Sequence, residues 1–287
     1  AAPRGPVSAS NNKSETVLTI MEDVSATPGQ WNQPYPLASG QTQQHELSET
    51  RLWVTLLDHE WQVCRQALVS DTSRTDWKQN ISFVAPGSDV TIQRFIRPDP
   101  GNDVLYLPAL ADRPTMIRPF QPLTIPAGRE CTIYVATTVW LRVLVGNTRS
   151  QLMEMPLVEP SMTWVGRSTM DGDLCYTAPT VARLVLEAVP RRPWRAITPV
   201  RICNRRPEPL MLERFSLPTP MLPLYRNDAG SLWTPKVTVV CETDISAARL
   251  RVSRSLPAEA GNCEMLAAPR MGSQRVSLTR ALDRIFG

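Results

Sequence analysis

Arg191-Arg192-Pro193-Trp194-Arg195-Ala196-Ile197-Thr198-Pro199-Val200-Arg201-Ile202-Cys203-Asn204-Arg205-Arg206 joins arginines, one indole and apolar strand formers in a single stretch punctuated by proline. No helix runs through that spacing, because proline lacks a backbone donor and its ring clashes with the preceding turn. The stretch therefore reads as an extended strand with arginines projecting to one side. Guanidinium forks form paired hydrogen bonds with phosphate and carboxylate, and an indole can stack beneath one. Arg191, Arg192, Trp194, Arg195, Arg201, Arg205 and Arg206 are accordingly the candidate contacts for an anion or a partner. The plainer reading is a strand face with solvated arginines and Trp194 anchored in the core.

The same punctuation extends along the chain. There are 27 prolines in 287 residues, close to twice the usual share of about 5%, and they are dispersed. That favours many short extended segments over helical bundles. Arg51–Leu57 and Trp61–Leu68, joined by Asp58-His59-Glu60, read as a hairpin. Pro122–Glu130 followed by Cys131–Ala136 reads as a second, with Gly128 supplying the turn. Further strands are expected over residues 17–24, 80–84, 90–96, 104–107, 140–145, 152–157, 180–189, 197–204, 210–217, 237–242 and 248–252. Ser277–Phe286 spaces Leu278, Leu282 and Ile285 for one short amphipathic helix.

The expected fold class is all-β, with antiparallel sheets in one or two β-sandwich-like units and a short C-terminal helix. The expected organisation is a mobile lead-in and linker over 1–45, a first β-rich domain over 46–165 and a second over 166–287. The proline- and glutamine-rich stretch Thr27–Gln44 reads as loop or linker.

A formal charge of +4 leaves basic and acidic residues almost balanced, which argues against nucleic acid as a partner. Lys13, Lys78 and Lys236 are the only lysines. Six cysteines stand singly, with His45 and His59 the only imidazoles. Zinc spacing is lacking, so neither a metal nor a cofactor is expected. Cysteines within apolar runs behave as small hydrophobes and fit a reducing compartment, so a cytoplasmic location is expected. No apolar run is long enough to span a bilayer as a helix.

No nucleophile elbow, phosphate loop or dinucleotide fingerprint occurs. Asp171-Gly172-Asp173 and Asp99-Pro100-Gly101-Asn102-Asp103 begin like calcium loops but lack the later acidic ligands, and read as turns. Asp58-His59-Glu60 reads as a polar hairpin tip, since alternation sets His59 opposite its two carboxylates. Trp53, Trp61, Trp140 and Trp233 fall in strand patterns and are expected in the core. Trp31 and Trp77 lie among polar residues and are the better candidates for a surface contact.

Phrases over about residues 107–286 resemble an uncharacterised family, the domain of unknown function DUF432. They are Thr163-Trp164-Val165-Gly166, Gly172-Asp173-Leu174-Cys175-Tyr176, Ala196–Asn204, Leu210–Pro218, Leu224-Tyr225-Arg226, Leu232-Trp233-Thr234 and Pro269-Arg270. The resemblance implies a bacterial or archaeal relative, and a gene neighbourhood that in bacteria often includes small-conductance mechanosensitive channels. It implies no reaction and no site. The leading expectation is a non-enzymatic interaction or scaffolding protein that meets a protein partner or itself, in part by strand addition. One alternative is a regulatory module on a membrane surface or a mechanosensitive channel, binding anions through the arginine-rich strand. A lower one is a carbohydrate-active or hydrolytic β-sandwich, which needs paired carboxylates such as Asp171 and Asp173.

Overall fold

In the computed structural model of the chain, Arg195–Asn204 lies inside a nine-stranded sheet with neighbours on both sides. Glu130–Thr138 pairs with it antiparallel from Glu130↔Cys203 to Thr138↔Arg195. On its other side run two parallel neighbours, Leu232–Trp233 and Val237–Cys241. A strand flanked on both sides and covered on both faces must be apolar almost continuously, and Ala196 through Val200 are all buried. The structure describes residues 26–71, 73–84, 86–87, 90–166, 172–242, 247–272, 277–281 and 283–286.

The protein is all-β. A six-stranded antiparallel sheet takes the order Thr27–Pro28, Lys78–Ser82, Thr42–Leu47, Thr50–Leu56, Glu60–Ala67, Ile92–Ile96. A four-stranded sheet runs Ser150–Pro156, Trp140–Val145, Asp103–Ala109, Pro34–Pro36. Smaller sheets join Ser161–Gly166, Gly172–Thr177, Thr115–Ile117 and Phe215–Leu217, and pair Leu123–Ile125 with Leu210–Leu212. Most pairings are antiparallel, as expected, although parallel ones lie beside Arg195–Asn204 and between Gly172–Thr177 and Thr115–Ile117. One continuous apolar cluster draws Trp61 from the six-stranded sheet, Leu141 from the four-stranded sheet and Ile202 from the nine-stranded sheet. The Ser161–Gly166 and Gly172–Thr177 hairpin spans position 166, where the boundary between two units was expected.

Several expectations change. Thr27–Gln44, read as loop or linker, contributes strands to two sheets and buries Trp31 and Leu37. The turn at Gly128 forms, with φ +67°, but its flanking strands do not pair with each other. Leu123–Ile125 pairs with Leu210–Leu212, whereas Glu130–Thr138 joins the large sheet. The strand expected over 210–217 is two strands in different sheets, Leu210–Leu212 and Phe215–Leu217. The C-terminal helix shrinks to the single turn Asp283–Phe286, because Ser277–Ala281 pairs antiparallel with Ala247–Val252. A ten-residue helix is marginal in isolation, and a free sheet edge offers the backbone of this segment a full ladder instead. The strand expected over 17–24 lies outside the described residues.

Two polar devices fix the joints between sheets. The Asp99 carboxylate accepts from the backbone N–H groups of Gly101, Asn147 and Thr148 and from the Thr148 hydroxyl, tying the turn after Ile92–Ile96 to the turn after Trp140–Val145. Those donors hold its pKa well below the usual aspartate range. His45 is buried on Thr42–Leu47, where its Nδ1 accepts from Trp77 Nε1 at 2.8 Å and its ring meets Tyr106 edge-on at 4.2 Å. Its Nε2 has no partner among the described residues.

Burial lowers the His45 pKa from 6.5 to about 3. The unfolded chain therefore binds a proton that the folded chain refuses as pH drops below 6.5. The stability associated with neutral His45 is complete above that value and declines as pH falls, by at most about 1.4 kcal/mol per pH unit. Urea unfolding at pH 7, 6 and 5 is expected to show this loss, and His45→Gln to flatten it. An unchanged slope in the variant would assign the acid sensitivity to other groups.

A candidate cleft beside the arginine segment

The central strand separates its arginines instead of gathering them. Ten residues at about 3.3 Å each set its ends about 30 Å apart. At the far end the Arg201 guanidinium pairs with Glu130 at 2.5 Å and Arg206 pairs with Glu208 at 3.2 Å, while Arg205 is exposed. At the near end Trp194 is buried in the core. Arg195 is partly buried, its Nε is without a partner among the described residues, and burial together with the nearby Arg192 lowers its pKa. Arg191 and Arg192, in the loop entering the strand, are the two candidates that open onto a cleft.

That cleft has a volume of about 880 Å³ and lies where the six-stranded and nine-stranded sheets meet. One wall is Gly29, Gln30, Trp31 and Trp77; the other is Arg226 with the turn to Ser231, and Asn262 to Glu264. Arg226 lies opposite Glu264 on the neighbouring strand and pairs with it, while its Nη1 donates to the carbonyl of Trp31. This guanidinium is therefore committed to holding the walls together. The Asn227–Ser231 turn is rigid: Asn227 Oδ1 accepts from Ser231 N at 2.8 Å, Asn227 Nδ2 donates to Ala260 O at 3.1 Å, and Gly230 takes φ +80°.

Arg191 and Arg192 differ from Arg226. Among the described residues neither is paired with a carboxylate; Arg192 Nη1 donates only to the Arg191 carbonyl, at 2.9 Å. Asp228 and Glu264 supply the negative charge of the cleft, and Glu264 is already engaged. No imidazole or lysine lines the cleft among the described residues, and Cys263 has its thiol pKa raised by burial and by Asp228. The arrangement is suited to holding a polar, anionic chain.

Trp31 and Trp77 are not the surface contacts that their polar sequence surroundings suggested. They are 2% and 3% exposed and pack against each other at 4.5 Å. Both indole N–H groups are spent inward, on Pro193 O at 2.7 Å and on His45. Indoles turned inward offer no open face for a sugar ring to stack on, and the exposed indole is Trp164, at 45%. Arg226 and the Asn262–Glu264 wall escaped the sequence reading. The accessible signal was Asn227-Asp228-Ala229-Gly230, a turn between the apolar pairs Leu224-Tyr225 and Leu232-Trp233. Of the acidic pair suggested for hydrolysis, Asp171 lies outside the described residues. Among the described residues no group of three or more His, Cys, Asp or Glu side chains could hold a metal ion, and no helix is long and apolar enough to cross a membrane. All six cysteines are free thiols.

Together these features define an all-β protein with a cleft, lined in part by arginine, at the junction of two sheets. The chain belongs to the family described as "Protein of unknown function (DUF432)", which it matches over residues 31–286. The match begins well upstream of residue 107, where the resemblance read from the sequence started, and takes in the cleft wall at Trp31 and Trp77. No curated protein and no solved structure matches the chain.

Gly29 sets how closely the first wall packs. A Cβ placed there would lie 2.3 Å from the Trp77 ring, so Gly29→Ala must displace the indole and loosen its bond to His45. A melting temperature lowered by several degrees and a red-shifted tryptophan emission are expected, as for a cost of about 1–3 kcal/mol. Unchanged melting and emission would show that the wall yields freely.

Proposed function

We propose that this chain is a non-enzymatic interaction protein whose cleft receives an acidic, extended segment of a protein partner. The observation that carries the reading is the pair Arg191 and Arg192, which line an open cleft without an acidic partner among the described residues, while the other arginine of the cleft is already neutralised. Two adjacent guanidinium groups recognise carboxylates well. The inward-turned indoles, and a Cys263 thiol whose pKa burial and Asp228 raise, support holding over catalysis.

A second reading, a regulatory role at an anionic membrane surface, is favoured by one observation. Leu184 and Val185 are 52% and 56% exposed in the same loop that carries Arg191 and Arg192. Exposed apolar side chains in a connection that also carries guanidinium groups suit a bilayer interface, including one next to a channel.

One pair of measurements separates the two. In low salt, calorimetric titration with a glutamate-rich peptide of about ten residues is expected to give binding that weakens as salt rises. Arg191→Ala together with Arg192→Ala should weaken it about tenfold, a loss of about 1.4 kcal/mol. Flotation with phosphatidylserine vesicles serves as the second arm, with Leu184→Ser and Val185→Ser as its variants. Peptide binding indifferent to the arginines would sink the first reading. Flotation that the serine variants abolish, with no peptide binding, would put the membrane surface in its place.

A further inference from the structure

Ile92-Gln93-Arg94-Phe95-Ile96 closes one side of the six-stranded sheet. Among the described residues it pairs only with Glu60–Ala67, from Glu60↔Ile96 to Cys64↔Ile92. Such an edge exposes a row of unpaired backbone groups, which proteins ordinarily blunt with proline, a bulge or an isolated charge. This one has no proline, its register is unbroken, and it bears Ile92 at 45% and Ile96 at 88% exposure.

One hydrogen bond settles which backbone groups face outward. Arg97 N donates to His59 O at 3.0 Å, so the pair His59↔Arg97 is of the hydrogen-bonded kind. In an antiparallel ladder such pairs alternate with non-bonded ones. Phe95 and Gln93 therefore spend their N–H and C=O groups on the neighbouring strand. Those of Ile92, Arg94 and Ile96 point away from the sheet.

The outward set is symmetric about Arg94. Antiparallel pairing of two copies of this strand places Arg94 across from Arg94 on a two-fold axis and Ile92 across from Ile96 on either side. Each of the three pairs is then hydrogen-bonded, giving about six backbone bonds between copies. The charge at the axis would ordinarily forbid this. Here each Arg94 is drawn back onto its own sheet, with Nε donating to both Glu60 oxygens at 3.0 and 2.9 Å and Nη2 2.6 Å from Glu60 Oε2. Each guanidinium thus carries its own counter-charge to the axis, and the flanking isoleucines cover one another. A self-complementary patch of this kind is what a two-fold interface requires.

We infer that the Ile92–Ile96 edge is a homodimer interface, at which a second copy of the chain continues the sheet across a two-fold axis at Arg94. The site is separate from the cleft and stands whether or not the cleft takes an acidic partner.

Sedimentation velocity from about 1 to about 200 µM tests this on the full chain, a range that spans weak to moderate self-association. Dimerisation rising across that range is expected. Arg94→Pro removes an N–H that faces outward and leaves the ladder to Glu60–Ala67 intact; Ile96→Lys alters a side chain that is 88% exposed. Each should weaken the dimer about tenfold or more, with unchanged far-ultraviolet circular dichroism; melting of the monomer is unchanged in Ile96→Lys, the variant that keeps the Arg94–Glu60 pair. Hydrogen exchange adds a residue-level readout. Amides of Ile92, Arg94 and Ile96 should gain protection with concentration, while those of Gln93 and Phe95 are protected at every concentration. A chain monomeric throughout, a dimer that neither substitution weakens, or protection independent of concentration would each overturn the inference.

Discussion

The interior position of Arg195–Asn204 governs the rest of the molecule. It takes Glu130–Thr138 on one side and two parallel strands on the other, so most of its length is flanked on both sides. A strand so placed cannot display a row of charges. Side chains such as Val200 and Ile202 are fully buried, and charged residues survive only at its ends or where a partner such as Glu130 reaches them. The arginines gathered in one stretch of sequence are in consequence split between two ends of the sheet. Of these arginines, Arg191 and Arg192 in the entering loop are the two that line the cleft without a carboxylate partner among the described residues, while Arg205 stands exposed at the far end.

Polar burial sets the character of the cleft below them. Trp31, Trp77, His45 and Tyr106 form an aromatic group in which each polar edge but one is used inward: indole to Pro193, indole to imidazole, phenol to Gln43 at 3.0 Å. The apolar mass of this group seals the joint between sheets. What remains at the cleft surface mixes charge, amides and backbone with apolar atoms of residues such as Pro193 and Ala229. Among the exposed sites of the fold, this cleft and the Ile92–Ile96 edge differ in kind. Among the described residues, one offers guanidinium groups with no carboxylate partner and the other offers backbone groups with no neighbouring strand.

Local patterns in the sequence revealed local structure. Alternation and turn residues located the Thr50–Leu56 and Glu60–Ala67 hairpin, and proline spacing showed Arg195–Asn204 to be extended. They failed where pairing is decided by distant segments. Pro122–Glu130 has a sound turn, yet each flanking strand leaves it for a different sheet. Ser277–Phe286 fits helical spacing, yet a free edge claims its first half. Trp31 and Trp77 looked exposed because their neighbours in sequence are polar, whereas their acceptors, Pro193 O and His45, come from other parts of the chain. The cleft was illegible for the same reason, since its walls converge from four separated stretches. Its one local sign was a turn sequence that says nothing of what lies opposite.

The bonds that seat Trp31 also impose an order on biosynthesis. Its indole reaches a carbonyl 162 residues later, and its own carbonyl receives a guanidinium 195 residues later. A nascent chain therefore keeps this tryptophan without those partners until the segments carrying Pro193 and Arg226 have been made. Contacts of such long range close slowly, and apolar surface left open in the meantime invites wrong pairings. The first wall of the cleft is made well before the segments that seat it, and it stays open to wrong pairings during the interval.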